Sequence, residues 1–488
     1  IITPFLILLI FPLHATQECV TQLEWTTNGS TLQLNGKPFV LKGISYFGFE
    51  TDTYAPHGIW EGSNNNLDKF LDFIKDNNFN AIRVPFSLQL VRDNPVPNID
   101  CNANPDLCGK QALDVLDSFI ERAGTRGLLI MLDNHQQTAT GGISPLWYDD
   151  NFSEADVISI WQQLVNRYQN SWNVFAIDLK NEPHDAATWG DSSPSTDWNK
   201  AAERLINALP NFKGFFFVEG IYSAAVLHDA IQFPIDTGNP SLNSRVVYSA
   251  HCYGPSVYDQ DIFHTDDYPN NLDAIYMYNY GFIPSTLNKP LLVGEWGGRA
   301  DIGSSDYTWN MWFVDWLRMR CNTNTFYWCL NPDSGDTGGL LEDDWTTPIP
   351  YKLDFVNRAQ PNPTKFNVNG KQICVTHGSF PLDYCNSGDA TSAVSVELVI
   401  SNPWKDDTSG ELGAVYDLNL TNNSGKRVCG VTIAVSVTPS ETWNLDDQGN
   451  GVYSTQSAFV LEIGQSRQDP GFVAMGDVIV DVVSAQYC

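Results

Sequence analysis

The sequence predicts an α/β fold, a (β/α)8 barrel, followed by a smaller C-terminal antiparallel β-sandwich, and three observations carry that prediction. Eight apolar runs recur between residues 39 and 331, most of them followed by a helical pattern. The runs are continuous rather than alternating, as strands of a parallel sheet covered on both faces must be. After about Gln360 the texture changes to short alternating segments between Ser/Thr/Gly-rich stretches, the pattern of an antiparallel sandwich. The total of 488 residues also exceeds what one core usually supports.

In chain order, Ile1 to Leu13 form an uncharged apolar run with small residues after it at Ala15 to Gln17. It is too short to span a bilayer, and residues 1–16 are expected to be part of a signal peptide. The barrel is expected over residues 17–360. Its strands are expected at 39–48, 81–87, 128–135, 174–183, 214–220, 246–253, 291–298 and 325–331. Helical spacing appears at 67–74, 112–122, 157–168, 198–209 and 307–319. The first strand ends Tyr46-Phe47-Gly48-Phe49-Glu50, without the Gly-rich phosphate loop of a doubly wound sheet. Pro361-Asn362-Pro363-Thr364 opens a stretch, 361–392, expected to be a linker. Residues 393–488 are expected to be the sandwich, with strands at 393–400, 414–420, 431–438, 457–463 and 477–483.

The formal charge of −30 disfavours nucleic acid and anionic membranes as partners, because like charges repel. A neutral glycan meets no such barrier, and an aromatic content of 12% supplies rings to stack on sugars. Ten cysteines behind a signal segment imply disulfides and an oxidising, extracellular setting. Cys101 with Cys108, Cys374 with Cys385, and Cys429 with Cys488 are plausible pairs, and Cys252 or Cys329 a free thiol near the barrel rim. No metal-ligand spacing appears among them. Asn28, Asn151, Asn419 and Asn422 each begin an Asn-X-Ser/Thr sequon.

Chemistry in such barrels sits at the C-terminal ends of the strands. Phe175-Ala176-Ile177-Asp178-Leu179-Lys180-Asn181-Glu182-Pro183 reads as a buried strand that pushes Asn181 and Glu182 out of its tip. Leu291-Leu292-Val293-Gly294-Glu295 does the same with one glutamate. The other tips add Arg83 from strand two, His135 from strand three, His251 and Tyr253 from strand six, and Trp328 from strand eight. Cleaving an acetal needs a proton on the leaving oxygen and an anion to meet the oxocarbenium-like centre. Two glutamates from strands on opposite sides of one mouth supply both, at an expected separation of about 5 Å, the spacing of retaining enzymes. Arg83 would keep one carboxylate ionised. Asn181 suits a sugar 2-hydroxyl, Tyr253 suits the nucleophile, and Trp328 offers a face to a pyranose ring. No metal or organic cofactor is needed.

The stretch from about Thr27 to Tyr351 resembles a catalytic domain of glycoside hydrolase family 5, the large cellulase family. It is most similar to the bacterial endo-β-1,4-glucanases typified by actinobacterial thermophile enzymes. The residues that carry the resemblance are Asn181-Glu182-Pro183-His184-Asp185, Tyr248-Ser249-Ala250-His251-Cys252-Tyr253, Gly294-Glu295-Trp296-Gly297 and Asn331-Pro332-Asp333-Ser334-Gly335-Asp336-Thr337-Gly338-Gly339. The resemblance implies Glu182 as acid/base and Glu295 as nucleophile. Around them it implies Arg83, His135, Asn181, His251, Tyr253 and Trp328, with Trp60 and Trp147 lining the cleft. It implies an endo-β-1,4-glucanase acting with retention on cellulose or another neutral β-glucan; the protein is expected to be secreted, from its signal segment, and to be a monomer. The same mechanism on mannan, xyloglucan or mixed-linkage glucan is the alternative, and a non-catalytic glucan-binding protein is a further one. Asn134 stands where the relatives usually have Arg, and Asp52 and Asp191 where they have cysteines, so their disulfide pattern does not transfer. The C-terminal segment resembles carbohydrate-binding module family 49 through Tyr416-Asp417-Leu418-Asn419-Leu420-Thr421-Asn422-Asn423 and Thr442-Trp443-Asn444-Leu445. Trp404 and Trp443 would then form a flat stacking face for glucan.

Overall fold

The computed structural model describes residues 18–380 continuously. Beyond them it describes 394–405, 412–422, 428–435, 437–449, 451–456, 461, 465–468, 470–475, 478 and 480–487. In the first stretch eight parallel strands close into a barrel, the last pairing back onto the first. They are Lys42–Ser45, Ala81–Ser87, Leu129–Gln136, Val174–Asp178, Phe215–Glu219, Val246–Tyr253, Leu291–Gly297 and Thr325–Tyr327. Each falls within an expected run or overshoots it by one residue. Nearly every strand residue is buried, which is why the runs read as continuous apolar stretches.

The five expected helices form as Leu67–Asp76, Ala112–Thr125, Glu154–Arg167, Trp198–Asn207 and Ser305–Met319. Four start where a side chain accepts a first-turn backbone N–H: Asn66, Ser153, Asp197 and Ser304. A further helix after strand eight, Pro350–Ala359, opens with proline in its first turn.

The N-terminal end of the barrel is closed by aromatic packing. Trp25 lies 5.0 Å from Phe39, 5.4 Å from Phe175 and 5.6 Å from Phe215, ring centre to ring centre. Ala81, Ala176, Phe366, Ile373 and Val375 complete this apolar floor. Polar groups are therefore left to the opposite, C-terminal mouth.

The stretch expected as a linker is part of that floor. Lys365–Asn369 and Gln372–Thr376 form a hairpin whose inward residues pack under the barrel, and Glu18–Val20 adds a third strand. The register places Cys19 opposite Cys374, and a disulfide joins them. This corrects the expected pairing of Cys374 with Cys385, which lies outside the described residues. Cys101 and Cys108 are bonded as expected. The Cys429–Cys488 pairing and the signal segment 1–16 also lie outside what is described. Cys252 and Cys329 are buried thiols outside any disulfide.

Residues from 394 onward form antiparallel sheets. One has the order Val394–Lys405, Leu412–Asn422, Gly471–Met475, Glu441–Trp443, and the other Leu445–Gly449, Val452–Thr455, Val428–Val435, Val480–Tyr487. Leu418, Leu420 and Phe472 of the first share one apolar cluster with Val431, Ile433 and Tyr453 of the second. The strand expected at 457–463 falls almost wholly outside the described residues. Among the described residues no helix is long and apolar enough to cross a membrane.

Candidate active site

The mouth of the barrel brings the strand-tip residues together. After strand four the chain turns sharply, and Glu182 takes a left-handed φ of 50°. A non-glycine residue holds such a conformation only when its surroundings enforce it. Here the Glu182 N–H donates to Glu219 Oε2 at 2.5 Å, and His184 Nδ1 lies 2.7 Å from the Glu182 carbonyl. Asn181 is anchored by its N–H to the Asn134 carbonyl at 2.9 Å. Its Oδ1 accepts from Arg83, and its buried Nδ2 has no protein partner.

Glu295 leaves strand seven beside a register shift between Ala250 and His251 of strand six, an irregularity that re-aims side chains at a rim. A Cβ at Gly294 would come within 2.5 Å of Ser249 Oγ and 3.0 Å of His251 Nε2, so a side chain there would push on the imidazole. One oxygen of Glu295 accepts from Arg83 and the other from the Tyr253 hydroxyl at 2.5 Å. A carboxylate oxygen of Glu182, a ring nitrogen of His251 and a carboxylate oxygen of Glu295 all lie within 4.8 Å of one another. Glu182 is the more open of the two acids, with 19% of its side chain exposed against 5% for Glu295.

The electrostatics follow from burial and crowding. Arg83 is fully buried among Asp133, Asp178, Glu219 and Glu295, with three of these ion pairs at 3.1–3.2 Å, and these anions hold its charge against desolvation. Burial opposes a charge on His251, yet Glu219, Glu295 and a hydrogen bond to Glu182 drive its pKa well above the ordinary value. Its Nδ1 lies 3.0 Å from Glu182 Oε1, and Nε2 lies 3.1 Å from Glu219 Oε1, out of line for a good hydrogen bond. Burial pushes the Glu295 carboxyl upward and Glu182 adds to it, while His251 and Arg83 oppose them. Burial and the neighbouring Glu219 charge raise Asp178 strongly. Glu219 goes the other way: burial raises it, but His251 and Arg83 bring it to about 2. Lys180, buried beneath the Asn181 carbonyl, is lowered by desolvation to about 8.

Glu182, His251 and Glu295 form the one cluster of possible metal ligands among the described residues. Two carboxylates about an imidazole are a set of groups that can also hold and move protons.

His135 Nδ1 lies 2.7 Å from Asp133 Oδ2, and its ring is nearly parallel to Trp328 at 5.3 Å. Trp328 is stacked near-parallel with Phe47 at 5.7 Å, Phe47 meets His57 at 4.9 Å, and His57 meets Trp60 at 5.5 Å. Trp60 meets Trp345 at 5.2 Å, which completes an aromatic strip running from Trp328 along the rim. The reading of the sequence identified only Trp328 and Trp60 in this strip. Phe47, His57 and Trp345 sit in loops whose spacing carries no period.

Trp147 is not part of the cleft, contrary to expectation. Its ring is fully buried against Tyr148 and Trp198, and its indole N–H donates to Glu154 at 2.7 Å. No face of it is open to a sugar. Glu219 was missed, although Phe215-Phe216-Phe217-Val218-Glu219 shows the same apolar run ending in a glutamate as strand seven. Asp133 was missed because it lies inside its strand, and Asp178 because it ends its strand within the longer run expected at 174–183.

The family model described as Cellulase (glycosyl hydrolase family 5) matches residues 32–334. An endoglucanase of Paenibacillus polymyxa is 38% identical over 364 residues, 71% of this chain and 89% of its own length. The major extracellular endoglucanase of Xanthomonas campestris pv. campestris is 38% identical over 331 residues, 64% of this chain and 66% of its own length. Among solved structures, an endocellulase of the archaeon Pyrococcus horikoshii in complex with cellotetraose superposes with a TM-score of 0.66 at 35% identity. That match covers 70% of this chain and 99% of the archaeal one. The catalytic domain of the Xanthomonas campestris enzyme gives 0.65 at 36% identity, covering 69% and 99%.

Proposed function

The chain belongs to glycosyl hydrolase family 5 and is an enzyme, a cellulase, and from that premise we propose a secreted endo-β-1,4-glucanase that hydrolyses cellulose by double displacement. The observation that carries this reading is the separation of the Glu182 and Glu295 carboxylates, within 4.8 Å. Retaining enzymes hold their two acids about 5 Å apart, whereas inverting enzymes need roughly 6.5–9.5 Å to admit a water between acid and sugar.

In the first step Glu295 attacks the anomeric carbon while Glu182 protonates the glycosidic oxygen. The C–O bond to the leaving chain breaks and a glycosyl ester forms. In the second step Glu182, now a carboxylate, takes a proton from water as the water oxygen attacks the same carbon and displaces Glu295. Arg83 and Tyr253 each engage one oxygen of the nucleophile, which orients it and stabilises its anionic form against burial. The unpartnered Nδ2 of Asn181 is the donor for the sugar 2-hydroxyl. Trp328 is the platform for the ring next to the scissile bond, and Trp60 a platform further along the strip. Proton NMR of early cello-oligosaccharide products should show the β-anomer first; initial α-anomer would refute double displacement.

The C-terminal sheets are read as a β-sandwich that binds glucan. Trp404 lies across Gly413 and Trp443 across Gly471, so that a Cβ at either glycine would sit 2.5 Å and 2.2 Å from the respective ring. Gly413 and Asp417 share one face of their strand, and Asp417 pairs with Gly471. Both rings therefore lie on the same face, the one opposite the buried Leu418 and Phe472. Each stacking ring contributes about 1 kcal/mol. Replacing both tryptophans by alanine should weaken adsorption of the whole chain to crystalline cellulose about tenfold or more. Turnover of soluble cello-oligosaccharides should stay within about twofold, and unchanged adsorption would refute the platform.

A further inference from the structure

We propose that Glu219 is a positioning residue that sets up Glu182 for proton donation. It has no exposed surface and does not itself face the substrate. Its two oxygens divide the work. Oε2 accepts the backbone N–H of Glu182 and holds that residue in its left-handed conformation. Oε1 lies 3.1 Å from His251 Nε2 and 3.2 Å from an Arg83 nitrogen. His251 Nδ1 in turn lies 3.0 Å from the Glu182 carboxylate. One buried carboxylate thus grips the acid/base by its backbone and sits against the imidazole that meets its side chain.

The dependence is asymmetric between the two catalytic glutamates. Arg83, which holds Glu295, has Asp133, Asp178 and Asn181 as further partners and keeps its place without Glu219. His251 is 1% exposed, and among the described residues its other acidic neighbours are Glu182 and Glu295 themselves. Loss of Glu219 is therefore felt first in proton donation to the leaving group, and much less in attack by the nucleophile.

This rests on Glu182 being the acid/base, and the test separates the two claims. Glu219→Gln keeps the shape and removes the charge; Glu219→Asp keeps the charge and withdraws the acceptor from the Glu182 N–H. The readout is kcat/KM on cellotetraose, whose leaving group needs a proton, against 2,4-dinitrophenyl β-cellobioside, whose leaving group does not. Glu219→Gln should lose about 100-fold on cellotetraose and less than about fivefold on the activated glycoside, the scale of general-acid assistance. Glu219→Asp should lose about tenfold on cellotetraose with the same selectivity. Equal losses on both substrates, or no loss on either, would overturn the proposal, because a merely structural carboxylate does not discriminate leaving groups. Glu182→Ala, measured alongside, must show the discrimination. If it does not, the acid/base assignment has failed rather than the role of Glu219.

Discussion

Glu295→Gln is expected to reduce turnover of carboxymethylcellulose by about 10⁴-fold or more while leaving the protein at least as stable as before. The activity loss follows because an amide cannot form the glycosyl ester, and removing a covalent nucleophile has effects of that order. The stability follows from the sign of the pKa change. Burial and the Glu182 charge raise the Glu295 carboxyl in the folded state. A carboxyl raised on folding destabilises the native state in full at pH values above its folded pKa, where the protein must hold it ionised, and that penalty shrinks as pH falls and is gone below the unfolded pKa near 4.3. Gln carries no such penalty, fills the same volume and can still offer a carbonyl oxygen to Arg83. Thermal unfolding at neutral pH should therefore occur at the wild-type temperature or higher. Retention of more than about a tenth of wild-type turnover would remove Glu295 from its role.

Arg83→Met should be damaging in both respects. It leaves Asp133, Asp178, Glu219 and Glu295 facing one another with their shared cation gone. Removing one partner of a buried ion pair costs about 3–5 kcal/mol. For a domain this large, that corresponds to a fall of roughly 10 °C in the unfolding midpoint. Turnover should fall with it, since the nucleophile loses the group that orients one of its oxygens. The deficit should shrink as pH falls, because carboxylates stripped of their cation have raised folded-state pKa values and shed the penalty on protonation. Wild type should behave oppositely at one of these sites. The Glu219 carboxyl is depressed to about 2, so its contribution to stability is present above the unfolded pKa near 4.3 and is lost as pH falls towards 2. Unfolding of Arg83→Met at the wild-type temperature near neutral pH would show that this charge cluster does not hold the barrel mouth together.

The barrel was legible because its signals are local. Seven strand-tip groups named from the sequence (Arg83, His135, Asn181, Glu182, His251, Tyr253 and Glu295) lie in one connected set of hydrogen bonds and ion pairs. Gln372–Thr376 was read as linker because its short polar alternation resembles a loop until Glu18–Val20 pairs beside it. The strands Leu445–Gly449 and Val452–Thr455 were passed over for a similar reason. Asp446-Asp447-Gln448 reads as solvated loop, although Asn450-Gly451 is a hairpin-turn signal.

The sequence alone determined the place of each barrel strand and the identity of Glu182 and Glu295 beyond strands four and seven, because these depend on residues a few positions apart. Tertiary structure alone decided that Trp147 is sealed beneath a helix, that Cys19 meets Cys374, and that Glu219 reaches under Glu182. Those outcomes depend on closure of the barrel, which brings residues 37 to 355 positions apart into contact. Contact at that range is set by the packing of the whole chain, and no local pattern records it.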